Sequence, residues 1–142
     1  QIRQGAYIRE TCLIGDHCVV GHTSELKGTI MFDHSQAPHF AYVGDSILGN
    51  KVNLGAGTKL SNLKITRDQV HLSIDGVVYD TGLRKLGAIL GDNVQLGCNC
   101  VTAPGTLVGR DTLLYSLVSA RGYYPPNSVV KLRQELEVVP RR

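Results

Sequence analysis

The sequence predicts an all-β fold, a single-stranded parallel β-helix built from six-residue (hexapeptide) repeats. Aliphatic residues recur at intervals of six, and a small residue stands four positions after most of them. A period of six matches neither the repeat of about 3.6 residues in a helix nor the two-residue repeat of a plain strand. It matches a short strand followed by a turn, and three such units form one triangular coil. The aliphatic positions are Ile2, Ile8, Ile14, Val20 and Leu26, then Leu48, Leu54 and Leu60, then Leu90, Leu96, Thr102, Val108, Leu114 and Ala120.

Each position of the repeat has a predicted place in the coil. The aliphatic side chain points inward, and the small residue four positions later fills the narrow inner corner, as at Ala6 and Ser24. Glycine often follows the aliphatic residue, as at Gly15, and we expect it to give the turn backbone angles that a Cβ would oppose. Because one coil cannot bury its apolar face alone, the stacking of successive coils is expected to form the core.

Two stretches interrupt the repeat. Residues 28–41 shift its register, because the step from Leu26 to Leu48 is not a multiple of six, and we expect an irregular loop there. Residues 65–86 contain alternating apolar residues on either side of Asp75-Gly76. This pattern is the strongest short signal of a β-hairpin, which we expect to project from the coil.

The predicted organisation is one domain with two additions. A β-helix covers residues 1–131, the hairpin is an insertion at about 66–84, and residues 132–142 form a C-terminal tail. A cap or a short helix packed outside the coils is expected from residue 123 onward. The chain begins at Gln1 without a methionine, which predicts a piece of a longer protein.

Composition argues against two classes of partner. The formal net charge of +3 is too small to indicate nucleic-acid binding, and no apolar run approaches the roughly 20 residues of a membrane span. Cys12, Cys18 and Cys100 occupy small inward positions of the repeat, whereas Cys98 lies outside this set. Unpaired cysteines in a core favour a reducing, cytoplasmic location.

Two cations are candidates for binding an anion. Residues three repeats apart should stack one coil above the other, and Arg9 and Lys27 have this spacing. Each directly follows an inward aliphatic residue, where glycine is the commoner choice. Two stacked cations would hold a phosphate through charge-assisted hydrogen bonds. The alternative is a pair of solvated surface charges.

The spacing of the histidines does not favour a metal site. A zinc site like that of the gamma-class carbonic anhydrases needs a close pair and a third histidine about two coils earlier. His17 and His22 form one close pair and His34 and His39 another, but no histidine precedes either pair by that distance. No metal ligand is therefore predicted, and a zinc protein is a remote alternative.

His39 differs from the other histidines because it ends the interrupted stretch and precedes Tyr42 by three residues. An imidazole exchanges protons near neutral pH, so a histidine in this place is a candidate general base. The alternative is an exposed loop histidine without a catalytic role.

Three segments together resemble a known family. They are His39–Asp45 (HFAYVGD), Leu48–Thr58 (LGNKVNLGAGT) and Leu90–Gly97 (LGDNVQLG). In this order they resemble the C-terminal acetyltransferase domain of the bifunctional N-acetylglucosamine-1-phosphate uridyltransferase/glucosamine-1-phosphate N-acetyltransferase, over roughly residues 3–130. The motif H-x-x-Y-[LV]-G-D followed by N-[LIV]-G-A-G-T is far more specific than the repeat. The resemblance also implies that the coil is left-handed, which the repeat itself does not determine.

The resemblance implies roles for particular residues. His39 takes the position of the catalytic histidine. The positions that bind the acceptor sugar phosphate fall on Arg9, Lys27, Tyr42, Asn53 and Lys85. The positions that bind acetyl-CoA fall on Ala56, Asn62, Cys98 and Ser116. The last two differ in type, because the family has a serine and an alanine there.

The implied activity is an acetyl-CoA-dependent N-acetyltransferase acting on an amino-sugar phosphate, in UDP-N-acetylglucosamine or related nucleotide-sugar synthesis. Acetyl-CoA is the co-substrate, and the family arrangement implies a homotrimer. Mg²⁺ is expected only for an upstream nucleotidyltransferase domain, whose glycine-rich signature this sequence lacks. A non-catalytic trimerisation or regulatory β-helix domain of a sugar-phosphate nucleotidyltransferase stays open as the alternative, and the zinc protein as a remote one.

The sequence departs from the family at several places. Leu63 stands where the family has a tyrosine, and Pro38 stands where it has a glycine. The hairpin over 70–79 is longer than the family's loop, and residues 123–142 do not align with its C-terminal arm. These departures leave the acyl group and the acceptor sugar open.

Overall fold

The chain winds as a stack of triangular coils with a six-stranded parallel sheet on each face. The computed structural model describes residues 1–141, in which there are twenty strands and no helix, and hence no helix that could span a membrane. Sheet I contains β1 (Tyr7–Ile8), β4 (Glu25–Lys27), β7 (Tyr42–Gly44), β10 (Lys59–Leu60), β15 (Val101–Thr102) and β18 (Ser119–Ala120). Sheet II contains β2 (Leu13–Ile14), β5 (Ile30–Met31), β8 (Ile47–Leu48), β13 (Ile89–Leu90), β16 (Leu107–Val108) and β19 (Tyr123–Tyr124). Sheet III contains β3 (Val19–His22), β6 (Gln36–His39), β9 (Asn53–Leu54), β14 (Gln95–Leu96), β17 (Leu113–Leu114) and β20 (Val129–Val130).

The coil closes by passing through the three sheets in turn. The chain runs from sheet I to II to III and back to I, and we name the turns between them the I–II, II–III and III–I corners. Ile8 pairs with Leu26 and Thr102 with Ala120, so one coil takes three full repeats there. The predicted fold class, a left-handed parallel β-helix of hexapeptide repeats, is confirmed.

The core is one continuous column inside the coils. Apart from the first coil, where Ile2 is exposed, the predicted aliphatic positions are buried, and small residues such as Ser24 and Cys100 fill the inner corners. Cys18 is also buried, Cys98 is exposed, and all four cysteines are free. Each inward side chain therefore contacts those of the coils above and below it, which makes the stack the unit of stability.

Residues 28–41 are not the irregular loop that the sequence predicted. They contain β5 and β6, and Leu26 pairs with Val43, whereas three full repeats would have brought it opposite Gly44. The coil is one residue shorter because the step from Leu26 to Met31 takes five residues rather than six. His39 accordingly ends a strand of sheet III instead of closing a loop.

The repeated glycines have a different role from the predicted one. The left-handed angles at the corners are mostly taken by other residues, such as Asn93 and Asn99 with φ of 60° and 55°, and asparagine tolerates this region better than most residues. Gly21 shows what the repeated glycine provides, since a Cβ on it would lie 1.6 Å from the carbonyl oxygen of Pro38. The glycine is needed where the backbones of neighbouring coils approach most closely.

The predicted hairpin is confirmed as β11 (His71–Ile74) paired antiparallel with β12 (Val77–Asp80). Asp75 and Gly76 both have positive φ, of 48° and 84°, as a type I′ turn requires. Leu60 pairs with Thr102, so the hairpin and its stems lengthen one coil by the equivalent of four repeats at the I–II corner.

The C-terminal region continues the coil before it leaves it. Strands β19 and β20 extend sheets II and III, so Tyr123–Val130 form neither a helix nor a separate cap. Residues 131–141 contain no strand or helix. Arg142, the last residue of the predicted tail, lies outside the described residues.

Candidate active site

His39 lies at the III–I corner at the foot of a column that contains three of the predicted acetyl-CoA residues. Backbone hydrogen bonds join this corner from coil to coil, which sets His39, Ala56, Cys98 and Ser116 one above another at about 4.8 Å per coil. The donors are the N–H groups of Gly57, Asn99 and Leu117, and the acceptors are the carbonyls of His39, Ala56 and Cys98, at 3.1, 2.8 and 3.0 Å. The predicted base and these three positions therefore share one edge of the prism.

The imidazole of His39 is exposed and makes no hydrogen bond within residues 1–141. His22 lies beside it one coil below, and the Nδ1 of His22 is 2.8 Å from the carbonyl oxygen of Gln4. Phe40 turns the corner with φ of 52° and contacts the ring of His22 edge-on. The side chain of His39 is thus available to a ligand, while that of its neighbour is tied to the backbone.

Arg9 and Lys27 lie side by side on the outer face of sheet I, and the stacking predicted from their spacing is confirmed. Each is already paired with a carboxylate. Arg9 Nη1 donates to Glu25 Oε1 at 3.1 Å, and Lys27 Nζ donates to Asp45 Oδ1 at 2.8 Å. The hydrogen bonds to Glu25 and Asp45 raise the pKa of Arg9 and of Lys27 above their ordinary values.

Asn62 belongs to this group of polar side chains rather than to the column at the III–I corner. Its Nδ2 donates to Asp45 Oδ2, and the hydroxyl of Tyr42 donates to its Oδ1 at 3.4 Å. Lys27, Tyr42, Asp45 and Asn62 therefore form one hydrogen-bonded network at the I–II corner. Asn62 is buried there, so within this chain it does not join the other predicted acetyl-CoA residues.

The two remaining predicted residues lie apart from both groups. Asn53 faces outward from sheet III, in register with Gln36 of the coil below. Lys85 is exposed at the base of the insertion, where it bridges to Leu63. The single chain therefore carries the predicted site residues on two corners and on two faces of the prism.

Sequence reasoning missed the two carboxylates that neutralise the cations. Asp45 follows Lys27 by eighteen residues, but the coil there takes seventeen and pairs Lys27 with Gly44, so Asp45 reaches Lys27 from the position next to its register partner. Glu25 lies beside Tyr42 on the outer face of sheet I, because it precedes the inward Leu26. The Nε of Arg9 is buried, lies 3.8 Å from Glu10 Oε2 and has no hydrogen-bond acceptor within residues 1–141.

The stacked coils and their three parallel sheets define the chain as a hexapeptide-repeat β-helix protein. The model of the family described as the GMPPB C-terminal domain matches residues 1–83, which is more than half of the chain. The chain belongs to this family.

Curated relatives match most of the chain. The bifunctional protein GlmU of Methanococcus maripaludis (strain C5) is 36% identical over 137 residues, which cover 96% of this chain and 33% of that protein. The bifunctional sugar-1-phosphate nucleotidylyltransferase/acetyltransferase of Sulfurisphaera tokodaii is 34% identical over 110 residues, covering 78% of this chain and 27% of that protein. The predicted resemblance is confirmed, and the chain spans about a third of the length of the relatives it matches.

A solved structure shares the fold. The acetyltransferase domain of PglB from Neisseria gonorrhoeae aligns with a TM-score of 0.73 at 17% identity, over 92% of this chain and 53% of that one. The same domain solved in complex with acetyl coenzyme A aligns with a TM-score of 0.71 at 16% identity, over the same shares. For the zinc alternative, residues 1–141 offer no group of three or more histidine, cysteine, aspartate or glutamate side chains that could hold a metal ion.

Proposed function

We propose that this chain transfers an acetyl group from acetyl-CoA to the amine of an amino-sugar phosphate, with His39 as the general base. The observation that carries the proposal is the column at the III–I corner, where an exposed imidazole stands below Ala56, Cys98 and Ser116. The name of the Sulfurisphaera relative includes an acetyltransferase, and the PglB domain has been solved with acetyl coenzyme A, which supports the same assignment.

The reaction needs a base and a donor for the developing oxyanion. The amine nitrogen attacks the thioester carbonyl, a C–N bond forms, and the C–S bond breaks to release CoA. His39 takes the proton that the amine loses and returns it to the leaving thiolate, a role usually worth about 10²–10⁴ in rate. The N–H of Ala56 makes no hydrogen bond within residues 1–141, which leaves it free to donate to the oxyanion.

The phosphate of the acceptor would bind at the cationic pair on sheet I. A dianionic phosphate would compete with Glu25 and Asp45 for the donors of Arg9 and Lys27, which favours a ligand with two charges over one. Tyr42 follows His39 by three residues, at most about 10 Å of chain, so the sugar would lie between the cations and the base.

We also propose a homotrimer, because the site residues are divided between faces of one chain. Asn53 faces outward from sheet III and Tyr42 from sheet I, so one bound sugar can contact an asparagine and a tyrosine of these positions only where two chains adjoin. The outer face of sheet II is suited to such packing, since it carries an unbroken apolar row flanked mainly by glycine. The row consists of Leu13, Ile30, Ile47, Ile89, Leu107 and Tyr123. Sedimentation equilibrium should give three times the chain mass of 15.4 kDa, and a monomer would contradict the trimer.

The activity is tested by following the free thiol of CoA when the chain is mixed with acetyl-CoA and glucosamine-1-phosphate. Thiol release that depends on the amino sugar is expected, and N-acetylglucosamine-1-phosphate should give none because its amine is already blocked. Absence of release with a panel of amino-sugar phosphates would contradict the proposal.

A second function has one specific observation in its favour. Both cations of the proposed phosphate site are neutralised by carboxylates within the chain, as expected if they only hold neighbouring coils together. A β-helix of this kind would serve as the non-catalytic trimerisation or regulatory domain of a sugar-phosphate nucleotidyltransferase. A trimer without thiol release would identify this alternative.

A further inference from the structure

We propose that the cleft between the hairpin insertion and sheet I binds the phosphorylated nucleotide end of coenzyme A. The identity of the ligand rests on the proposed function. The charged residues that would recognise it, Lys64 and Arg121, are not among the predicted site residues, and they come from two parts of the chain that only the fold brings together.

The cleft has a floor, a roof and the size of a ligand site. Its volume is about 930 Å³, near the upper end of the range of about 300–1,000 Å³ that is typical of ligand pockets. The floor is the outer face of sheet I around Val101, Ala103 and Ser119, and the roof is the insertion, from Leu63 to Thr66 and along β11. Apolar side chains on both sides would accept the flat face of a nucleobase.

The roof is fixed to the body of the protein rather than hanging free. Val70, at the base of the hairpin, is completely buried. Gly105 has φ of +77°, and a Cβ on it would lie 2.7 Å from Cγ1 of Val70. The hairpin is therefore seated against the loop that follows β15, and the cleft is preformed.

The lining is basic and contains no carboxylate. Lys64 and Arg121 supply the charge, and His71 lines the cleft beside them. Lys64 lies 3.5 Å from Asp68 and His71 lies 3.6 Å from Asp80, but neither aspartate lines the cleft. Arg121 has no carboxylate within 4 Å in the part of the chain that the structure describes. A cleft that contains an unpaired guanidinium among hydroxyls is suited to phosphoryl groups, and the hydroxyls belong to Ser61, Thr66, Ser73 and Ser119.

The position of the cleft fits an extended acyl-CoA. Val101 and Ser119 come three residues after Cys98 and Ser116, so the cleft opens within about 10 Å of the III–I column. Arg121 lies in the same column of sheet I as Lys27 and four coils above it, about 19 Å away at the usual strand spacing. The acetyl group would lie near His39 and the nucleotide under the hairpin, with the pantetheine arm along the coils between them.

Calorimetric titration of the whole chain with CoA, dephospho-CoA and ADP tests the assignment. Arg121→Gln should weaken CoA binding about tenfold, as expected for the loss of one charge-assisted contact, and the double change with Lys64→Gln should weaken it further. Arg110→Gln is the matched control, since Arg110 is exposed near the II–III corner and reaches only Asp111, at 4.0 Å. All three side chains lie outside the core, so the variants should fold. Unchanged CoA affinity in the double variant would overturn the proposal.

Two further comparisons distinguish coenzyme A from a free nucleotide as the ligand, and failure of the cleft assignment from failure of the proposed function. ADP binding that depends on Arg121 in a chain that does not bind CoA would assign the cleft to a free nucleotide and refute the coenzyme. If Arg121→Gln weakens CoA binding but wild-type chain shows no acetyl transfer, the cleft assignment stands and the proposed function fails. If transfer occurs, the KM for acetyl-CoA should rise in Arg121→Gln with kcat unchanged. An unaltered KM for acetyl-CoA would refute the cleft assignment without contradicting the acetyl-transfer activity.

Discussion

The III–I and I–II corners of the prism are built by the same repeat but present opposite chemistry. At the III–I corner the imidazole of His39 is exposed and has no hydrogen-bond partner within residues 1–141, and small side chains continue the column above it. At the I–II corner the functional groups of Lys27, Asp45 and Asn62 bind one another and are largely shielded from water. The backbone register determines the position of His39 at one corner and of Lys27, Asp45 and Asn62 at the other. The difference shows that position in the repeat does not determine whether a polar group is free to react.

The two corners should therefore respond differently to substitution. A change at the open corner removes an imidazole that forms no hydrogen bond within the described residues 1–141, so activity should fall while stability is kept. A change at the closed corner leaves a partner without its hydrogen bond, so stability should fall as well.

The largest effect is expected from His39→Ala. Acetyl transfer should fall by about 10²–10⁴, because the base is lost, while the free energy of unfolding stays within about 0.5 kcal/mol. Thiol release and urea denaturation measure the two quantities. His34→Ala is the matched control, since His34 is also exposed but lies at the II–III corner, stacked on His17. Equal activity of His39→Ala and His34→Ala would contradict a catalytic role for the III–I corner.

A smaller effect, on stability, is expected from Asp45→Asn. The change removes the charged acceptor of both Lys27 and Asn62, and the free energy of unfolding should fall by about 1–3 kcal/mol. Urea denaturation checks this value against Asp111→Asn, which alters an exposed carboxylate that accepts one bond from Asn93. Equal, small losses in both variants would show that the closed corner contributes no more than a surface contact.

The smallest effect is a loss of stability at alkaline pH. The hydrogen bond to Asp45 raises the pKa of Lys27 in the folded chain, so its contribution is complete below the unfolded value of about 10.4 and is lost as pH rises through the higher folded value. Burial raises the pKa of the Cys100 thiol, which adds a loss that begins above about pH 8.5. Urea midpoints between pH 8 and 11 should decline, and Asp45→Asn should flatten the part above pH 10. An unchanged slope in that variant would contradict the role of the ion pair.

Much of the fold could be predicted because the six-residue period is present in the amino-acid sequence itself. The inward residues, the small corner residues and the hairpin turn at Asp75-Gly76 all followed from spacing and residue type. The stretch 28–41 was misread because a coil can lose one residue at a corner without breaking its hydrogen bonds, and the spacing then looks interrupted. The role of the repeated glycine was also misread, since Gly21 is required by the approach of Pro38 from the next coil.

The sequence by itself determined the stacking order, since a period of six with three repeats to a coil decides which side chains are neighbours one coil apart. Arg9 beside Lys27 follows from that order, whereas His39 lies in line with Ala56 only because the coil between them takes seventeen residues rather than eighteen. Only the tertiary structure decided which of these groups are free, because hydrogen bonds such as those of Asp45 depend on side chains meeting across a corner. The tertiary structure also determined the cleft under the hairpin. The insertion folds back over coils that come later in the chain, and these contacts follow no sequence period from which they could be predicted.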